Sequence, residues 1–475
     1  MRRIIIYLAV TLLFSSFSFA QAPDTLWTKI YDPGTWNSVS QVLQTGDDEY
    51  IVVGSSRQNS DPTDIWVLKT DQLGNMQWEL FCGGPGFNHG QSVLITADGG
   101  YLISATVQDT LNSGDNISFI KIDGIGNIEW EIQFEKNEDD WVRESQHTAD
   151  GGFIHTGTTG IYRDGLDFLL LKTDSECNTE WAVTFGGGLY ECSFSVQQTT
   201  DGGYITAGGT ESYGSGWVDV YVVKTDSRGN LEWDAVFGYS DYDRARTVRE
   251  TQDGGYLILA YTYSFSSNCD LWLIKTDCLG NMEWDQVLDN GDADCGYSFL
   301  EAPDGGFVIT GVRSGDLWLL KTDSIGNIEW ETSIGYQGSL NEAGKSLQQT
   351  SDGGYIVAGE IYSGKGMLDL WLVKFGPVLG IPEGSQQVSN MLIGTISPNP
   401  FSSSLSITYS IPQMGHVEIS VFDYSGRLIE NLEDCAASSG EHTFVWNPDP
   451  SLPIGCYMVV LDSCGEQSVR RCVKL

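Results

Sequence analysis

The stretch GKSLQQTSDGGYIVAGEIYSGKGMLDLWLVK, residues 344–374, shows the pattern that most of this chain follows. A turn at Asp352-Gly353-Gly354 separates two short runs, and a third, apolar run follows Asp369. Glycine supplies the positive φ angles that a tight hairpin turn requires. The stretch therefore predicts a β-hairpin followed by a third strand, whose nearly continuous apolar character indicates burial on both faces.

The pattern recurs with a period close to 50 residues, which is typical of propellers and other repeat arrays. Each copy is marked by an aromatic residue, which follows Asp-Gly-Gly in the last six: Tyr50, Tyr101, Phe153, Tyr204, Tyr256, Phe307 and Tyr355. A second marker is a lysine at the end of the third strand: Lys69, Lys121, Lys172, Lys224, Lys275, Lys321 and Lys374. A third is the tryptophan of a fourth strand: Trp78, Trp130, Trp181, Trp233, Trp284 and Trp330.

The two ends of the array complement each other. The seventh copy lacks the tryptophan strand, whereas an extra one, residues 26–30 around Trp27, precedes the first copy. Moving that strand to the last unit completes seven units of four strands and closes a ring without exposed edges. We therefore predict an all-β chain with a seven-bladed β-propeller over residues 21–376, with four antiparallel strands per blade.

The N-terminus reads as a signal peptide over residues 1–20. Arg2 and Arg3 precede an apolar run over residues 4–14 and a small-x-small site at residues 18–20. The run is too short to cross a bilayer as a mature helix. No later segment is apolar enough to do so, and we expect an exported mature chain without a transmembrane segment.

The period breaks at residues 377–392, which we assign to a linker. Short alternating strands over residues 393–475 then predict a small Ig-like β-sandwich. The PNPF opening, the VFDYSGRLI stretch (421–429), the GCYMVVL strand and the basic end resemble the type A C-terminal sorting domain of the type IX secretion system. The motif residues are Pro398, Asn399, Pro400, Gly426, Arg427, Gly455 and Lys474. Flagellar hook-cap proteins carry a related sandwich.

This resemblance implies an export route. The signal peptide would deliver the chain to the periplasm, and the tail would engage the type IX machinery to cross the outer membrane. The mature protein would be secreted or displayed on the cell surface. The repeats themselves resemble bacterial β-propeller repeats of the DGGY type, and LLKTDSIGNIEW (319–330) resembles the docking turn of quinoprotein-like propellers. Both likenesses imply a fold more than an activity.

Charge and cysteine content set further limits. The formal net charge of -39 makes nucleic acid an improbable partner, because phosphate binding needs clustered Lys and Arg. The ten cysteines are compatible with disulfides in an oxidising compartment. The sequence suggests three pairs as possible disulfides: Cys177 with Cys192, Cys278 with Cys295, and Cys456 with Cys472.

No catalytic residue and no cofactor is predicted. None of the five histidines lies in a metal-ligand spacing, and nucleophile-elbow, Walker and dinucleotide motifs are absent. The recurring Asp, Lys and Trp residues suit turns and blade packing, because a catalytic group is normally needed once. Sites of ligand binding are instead expected where the copies differ, on loops that a ring places together on one face.

Those loops are rich in aromatic residues and carboxylates, which suit stacking on sugar rings or Ca²⁺ bridging to a polar ligand. The candidate ligand-binding residues are Trp36, Phe87, Trp141, Tyr190, Trp217, Tyr242 and Tyr297. Tyr263 lies in a neighbouring loop, and the candidate Ca²⁺ ligands are Asp289, Asp292 and Asp294. The alternative is that these aromatic side chains only cover the channel and seal adjacent blades.

The sequence thus favours a secreted or surface propeller that binds a glycan or a protein without catalysis. The main alternative is an extracellular polysaccharide hydrolase or lyase that uses loop-face carboxylates. A quinoprotein dehydrogenase is a third option, which rests only on the docking-turn likeness.

Overall fold

A computed structural model of the chain describes residues 22–58, 62–108, 114–134, 139–161, 165–266, 268–289, 291–335, 342–362, 368–378, 392–397, 401–411, 415–423, 427–449, 452–453, 455–463 and 466–474. The chain forms two compact units, residues 1–382 and 383–475. The signal-peptide prediction falls on residues 1–20, outside the described residues.

The first unit consists of seven four-stranded antiparallel sheets, which confirms the predicted propeller. Blades 1 to 3 contain β2 (Trp36–Gln44), β3 (Tyr50–Arg57), β4 (Thr63–Thr70), β5 (Met76–Cys82); β6 (Asn88–Ile95), β7 (Tyr101–Gln108), β8 (Asp115–Ile122), β9 (Ile128–Phe134); and β10 (Asp139–His147), β11 (Phe153–Ile161), β12 (Gly165–Thr173), β13 (Thr179–Phe185). Blades 4 and 5 contain β14 (Glu191–Gln198), β15 (Tyr204–Thr210), β16 (Asp219–Thr225), β17 (Leu231–Phe237); and β18 (Asp243–Glu250), β19 (Tyr256–Thr262), β20 (Asp270–Thr276), β21 (Met282–Leu288). Blades 6 and 7 contain β22 (Asp294–Glu301), β23 (Phe307–Arg313), β24 (Asp316–Thr322), β25 (Ile328–Ile334); and β26 (Ala343–Gln349), β27 (Tyr355–Tyr362), β28 (Leu368–Phe375), β1 (Thr25–Tyr31).

The ring closes through β1, as the tryptophan pattern predicts. This strand pairs antiparallel with β28 and places Trp27 opposite Lys374. Its indole lies 5.8 Å from the ring of Tyr50, so the closing strand of blade 7 packs on blade 1. The first strand of each blade also contacts the first strand of the next, all the way round. These seven inner strands enclose a central channel.

Every inner strand carries a β-bulge at the same position. A bulge adds one unpaired residue to the ladder and re-aims its side chain. The bulge residues of blades 1 to 7 are Ser40, Gln91, Arg143, Phe194, Arg246, Tyr297 and Lys345. The scaffold therefore presents one freely varying side chain per blade to the channel.

A buried lysine ties together the opposite end of each blade, as blade 4 illustrates. The Lys224 ammonium donates to Asp201 Oδ2 in the inner hairpin turn (2.9 Å) and to Glu232 Oε2 in the outer strand (2.8 Å). Its third hydrogen bond goes to the carbonyl oxygen of Thr225 (3.0 Å). All three ammonium protons thus have an acceptor, which a buried cation requires. This confirms the structural role predicted for the recurring lysines.

The recurring tryptophan fills the space between neighbouring blades. Trp181 of blade 3 lies 5.6 Å from the ring of Tyr204 in blade 4. It also covers Gly229 in the outer turn of blade 4, where a Cβ atom would lie 2.9 Å from the indole. Gly229 has a φ of +79°, so both its conformation and the close indole favour glycine. The turn is held by Asp226, whose carboxylate accepts from the Asn230 backbone and side chain.

The second unit contains two antiparallel sheets that enclose one core. Their strands are β29 (Leu392–Ser397), β30 (Leu405–Ile411) and β33 (Gly440–Trp446) in one sheet, and β32 (Leu428–Ala437), β31 (Gly415–Asp423), β34 (Gly455–Ser463) and β35 (Glu466–Lys474) in the other. The core includes Leu405 and Ile407 from the first sheet and Ile419 and Val459 from the second. Within the described residues of both units, no helix has the length and apolarity of a membrane span.

Replacing one buried lysine should destabilise the propeller measurably. Lys224→Met keeps the apolar stem but leaves the Thr225 carbonyl without its donor and two carboxylates without their cation. We expect a loss of about 1–3 kcal/mol, since Asp201 and Glu232 stay partly hydrated. Urea unfolding followed by tryptophan fluorescence measures this. The control Arg228→Met removes the same charge from an exposed turn and should stay within about 0.5 kcal/mol; equal losses would contradict the assignment.

The turn carboxylates should make stability fall in acid. Burial alone would raise the pKa of Asp201, but hydrogen bonds from Thr199 and Lys224 lower it to about 2. The stabilisation is therefore present above the unfolded pKa near ~4 and is lost as the pH falls toward 2. The stability difference between wild type and Asp201→Asn should be largest at neutral pH and vanish near pH 2. The exposed control Glu176→Gln should show no such convergence in parallel urea titrations.

Candidate functional site

On one face of the ring, two sets of loops are hydrogen-bonded to each other. One set connects successive blades, and the other connects the second and third strands within a blade. The Glu211 amide donates to the Tyr190 carbonyl (2.9 Å), and the Trp217 amide donates to the Asp241 carbonyl (3.1 Å). Backbone pairing of this kind fixes the loops against each other. Side chains that vary between blades are therefore held in defined positions on this face.

A cavity of about 530 Å³ lies where the inner strands of blades 5 and 6 begin. Aromatic residues dominate its wall, together with one guanidinium and one carboxylate: Asp241, Tyr242, Arg246, Tyr261, Tyr263, Ser266, Cys269, Cys295 and Tyr297. Tyr242 stacks on Tyr261 with an interplanar angle of 14°, and Tyr263 meets both rings edge-on. Burial raises the pKa of Tyr242 to about 12, so its hydroxyl stays protonated at neutral pH. The cavity is thus a preformed aromatic pocket, and its volume lies in the range of ligand-binding sites.

The bulge residues of five consecutive blades form a chain of cation–π contacts along the channel. The Arg143 and Arg246 guanidinium carbons lie 5.3 and 4.9 Å from the ring centre of Phe194. Arg246 is also 5.5 Å from the ring of Tyr297, where the Lys345 ammonium lies at 3.8 Å. All these separations fall within the range of favourable cation–π interaction. Cations and aromatic rings therefore alternate from blade 3 to blade 7, and two of these residues reach the cavity.

A third arginine strengthens this cluster. Arg244 lies 5.4 Å from the ring of Phe194 and 4.8 Å from that of Tyr242. Although Arg143 is open to the channel, desolvation by the surrounding strands and the nearby Arg246 and Arg244 guanidiniums lower its pKa. Burial and neighbouring like charge both disfavour a charged guanidinium, and the geometry brings three guanidinium groups around the ring of Phe194. The middle of the channel is consequently positive in a chain whose net charge is -39.

The sequence-predicted aromatic residues separate into two groups. Tyr242 and Tyr297 line the cavity together with Tyr263, although Tyr297 lies inside β22 at the bulge rather than in a loop. The others lie outside the residues that line it. Trp36 begins β2, Trp141 lies within β10 and donates its indole N–H to Asp115 (2.7 Å), and the remaining three are in loops: Phe87, Tyr190 and Trp217.

The three candidate Ca²⁺ ligands engage separate neighbours. Asp289 accepts from the Gly291 amide (2.6 Å), Asp292 accepts from the Ser314 hydroxyl (3.0 Å), and Asp294 is buried at the start of β22. In the ranges that the structure covers, no three His, Cys, Asp or Glu side chains are grouped so that they could hold a metal ion. Calcium binding at this place stays a prediction.

Two of the suggested disulfide pairs are wrong, Cys177 with Cys192 and Cys278 with Cys295. The structure joins Cys269 to Cys295, with Cα atoms 5.9 Å apart, whereas Cys177, Cys192 and Cys278 are free thiols. The pair of Cys456 with Cys472 stays a prediction; in the backbone register of β34 and β35, Cys456 lies opposite Val473, next to Cys472. The observed bridge links a loop of blade 5 to the inner strand of blade 6. It therefore holds two walls of the cavity together.

Sequence reasoning missed the cationic half of the site: Arg143, Arg244, Arg246 and Lys345, and with them Phe194 and Tyr261. A signal for the bulge residues was present. Each lies ten residues before the marker aromatic of its blade, as Arg246 does before Tyr256. Aligning the seven copies at that position shows the alternation directly. The signal appears only when the copies are compared, because within a single copy the bulge residue looks like any other residue of the strand.

Among the predicted sorting-motif residues, Arg427 is exposed and Lys474 is buried. The Lys474 ammonium donates to the Leu452 carbonyl (2.5 Å). Gly455 begins β34. Pro398, Asn399, Pro400 and Gly426 lie outside the described residues.

The comparison with protein families supports the assignment of this segment. Residues 395–474 match the family described as secretion system C-terminal sorting domain. The tail is thus a type IX sorting domain, and the chain is a propeller protein secreted or carried to the cell surface. No curated protein matches the chain.

Several solved structures are similar to this chain. One is a protein of unknown function from Dyadobacter fermentans (9% identity, 74% of this chain and 99% of that chain, TM-score 0.46). Others are the β-propeller domain of the Trilobed protease from Pyrococcus furiosus (11%, 75% and 100%, 0.41) and an α-L-arabinanase from Penicillium chrysogenum complexed with arabinobiose (12%, 61% and 93%, 0.43). At this distance they carry no inference about ligand or activity.

Proposed function

We propose that this protein is a non-catalytic binding module of the cell exterior, and that the aromatic cavity between blades 5 and 6 is its ligand site. The observation that carries this proposal is the cavity itself. Four tyrosines line it, and inter-blade hydrogen bonds and a disulfide hold its walls. Preformed aromatic walls with a few placed polar groups are typical of ligand-binding pockets.

The carboxylates around the cavity favour binding over hydrolysis. A glycosidase needs two carboxyl groups that flank the scissile bond. Among the described lining residues only Asp241 carries one. The nearby Asp243 is occupied structurally, because both of its oxygens accept from the Ser264 hydroxyl and one also accepts from the Tyr239 amide. A polysaccharide hydrolase or lyase is therefore the less favoured alternative.

Removing one exposed cavity ring should weaken ligand binding. Tyr263 is 38% exposed, so Tyr263→Ala should fold normally yet reduce affinity about tenfold for ligands that the wild type retains. Tyr362, the equivalent residue of blade 7, is 37% exposed and provides the matched control. A glycan array and pull-downs from extracellular material, both with the full-length protein, identify ligands for titration. No retained ligand, or equal losses in both variants, would overturn the proposal.

We further propose that the chain reaches the exterior through the periplasm, in two membrane steps. The signal-peptide pattern and the sorting-domain match support this order. A chain lacking residues 393–475 should accumulate in the periplasm as folded, protease-resistant propeller. Fractionation with surface proteolysis measures this, and the full-length chain is the control. Unchanged surface display of the truncated chain would contradict the route.

A further inference from the structure

The channel residue of each blade is the place where seven otherwise similar units differ most in charge. Blades 1 and 2 present Ser40 and Gln91 at the bulge. The five blades that follow present two arginines, one lysine and two aromatic residues in strict alternation. Since the bulge position makes no ladder contact of its own, its residue is not dictated by the fold. Its composition therefore points to a ligand.

The arginines of this cluster are held by rings rather than by carboxylates. Across the residues that the structure describes, no ion pair joins Arg143, Arg244 or Arg246 to an acidic side chain. Two other arginines do form ion pairs, Arg249 with Glu144 and Arg313 with Glu331, whereas Arg57 lies 5.6 Å from the ring of Phe87 and has no ion pair among the described residues. This contrast occurs in a chain with 64 acidic residues, where carboxylate partners are plentiful.

A guanidinium that stacks on a ring keeps its in-plane N–H groups for another acceptor. The Nε atoms of Arg244 and Arg246 are buried and have no hydrogen-bond partner among the described groups. Unsatisfied buried donors are costly, and a ligand oxyanion would satisfy them. The enclosed channel also concentrates positive potential, while Asp241, the Glu360 partner of Lys345 and Glu211, which lies near Arg244, offset only part of it.

We infer that the cavity and channel bind an acidic polysaccharide, with a carboxylate or sulfate group on Arg246 and a sugar ring against the tyrosines. This inference rests on the proposed function and names its ligand class. A charged sugar combines an oxyanion with a rigid apolar face, and the cavity places Arg246 beside Tyr263 and Tyr297. An acidic polypeptide supplies the negative charge but no rigid apolar face, so it matches the guanidinium but not the tyrosines.

The test uses full-length protein and pairs of polymers that differ only in charge. Polygalacturonate is compared with its methyl ester, and chondroitin sulfate with its desulfated form, by titration calorimetry at low salt. The wild type should bind at least one charged polymer about tenfold or more tightly than its neutral partner, and the affinity should fall as salt increases. Poly-L-glutamate should bind about tenfold more weakly; equal affinity for it would overturn the assignment of a sugar.

The key variant is Arg246→Gln, which should lose about tenfold in affinity for the charged polymer and little for the neutral one. Arg313→Gln is the matched control, because Arg313 also stacks on a ring, that of Trp318 at 5.1 Å, but is already paired with Glu331. It should stay within about twofold. If Arg246→Gln does not fold, Arg143→Gln replaces it, since that side chain is exposed in the channel.

The outcomes separate the two proposals. Equal binding of charged and neutral polymers, with loss in Tyr263→Ala but not in Arg246→Gln, would overturn the anionic class and leave the binding module intact. Failure to bind any of these acidic polymers, while the glycan array yields a neutral ligand, has the same meaning. No ligand in any assay would overturn both.

Discussion

The propeller has a buried ammonium in each blade, and in blades 2 to 6 this ammonium satisfies three acceptors at once. Lys224 links the inner hairpin turn, its own third strand and the outer strand of blade 4 through Asp201, the Thr225 carbonyl and Glu232. The same arrangement recurs in other blades, for example at Lys275. A cation removed from water is tolerated only when its protons are bonded, so the positions of its partners are tightly constrained. This explains why the motifs around the lysine hardly vary in blades 2 to 6; in blade 1, Asp47-Asp48-Glu49 replaces Asp-Gly-Gly, and Lys69 pairs with Glu49.

The residues that are free to differ between blades lie at the bulges of the inner strands. The lysine network and the inter-blade tryptophans secure the hairpin side of each blade, whereas the bulge residue faces a channel shared by all seven. Arg143, Phe194 and Arg246 can therefore differ from blade to blade without disturbing the ring. A uniform scaffold thus carries a non-uniform candidate site. The residues of this site are those that differ from one repeat to the next.

The distribution of charge also differs between the scaffold and the channel. A net charge of -39 suits a protein that must stay soluble outside the cell. Most lysines of the propeller belong to the structural network, whereas the channel arginines Arg244 and Arg246 lie against the aromatic rings of Phe194 and Tyr242. The chain as a whole is acidic, whereas cations and aromatic rings line the channel from blade 3 to blade 7.

The amino-acid sequence by itself determined the architecture. The repeat period and the turn residues are local signals that predict the blades, and the displaced Trp27 strand predicts how the ring closes. It also identified the sorting tail, and it placed Tyr242 and Tyr297 among the candidates. Only the tertiary structure decided which residues meet. Arg246 touches Phe194, a residue 52 positions earlier, and Cys269 bonds Cys295 rather than the neighbours suggested by sequence. The reason is that both contacts cross from one blade to the next, and the rotation between blades, together with the bulge that re-aims each side chain, exists only once the ring has closed.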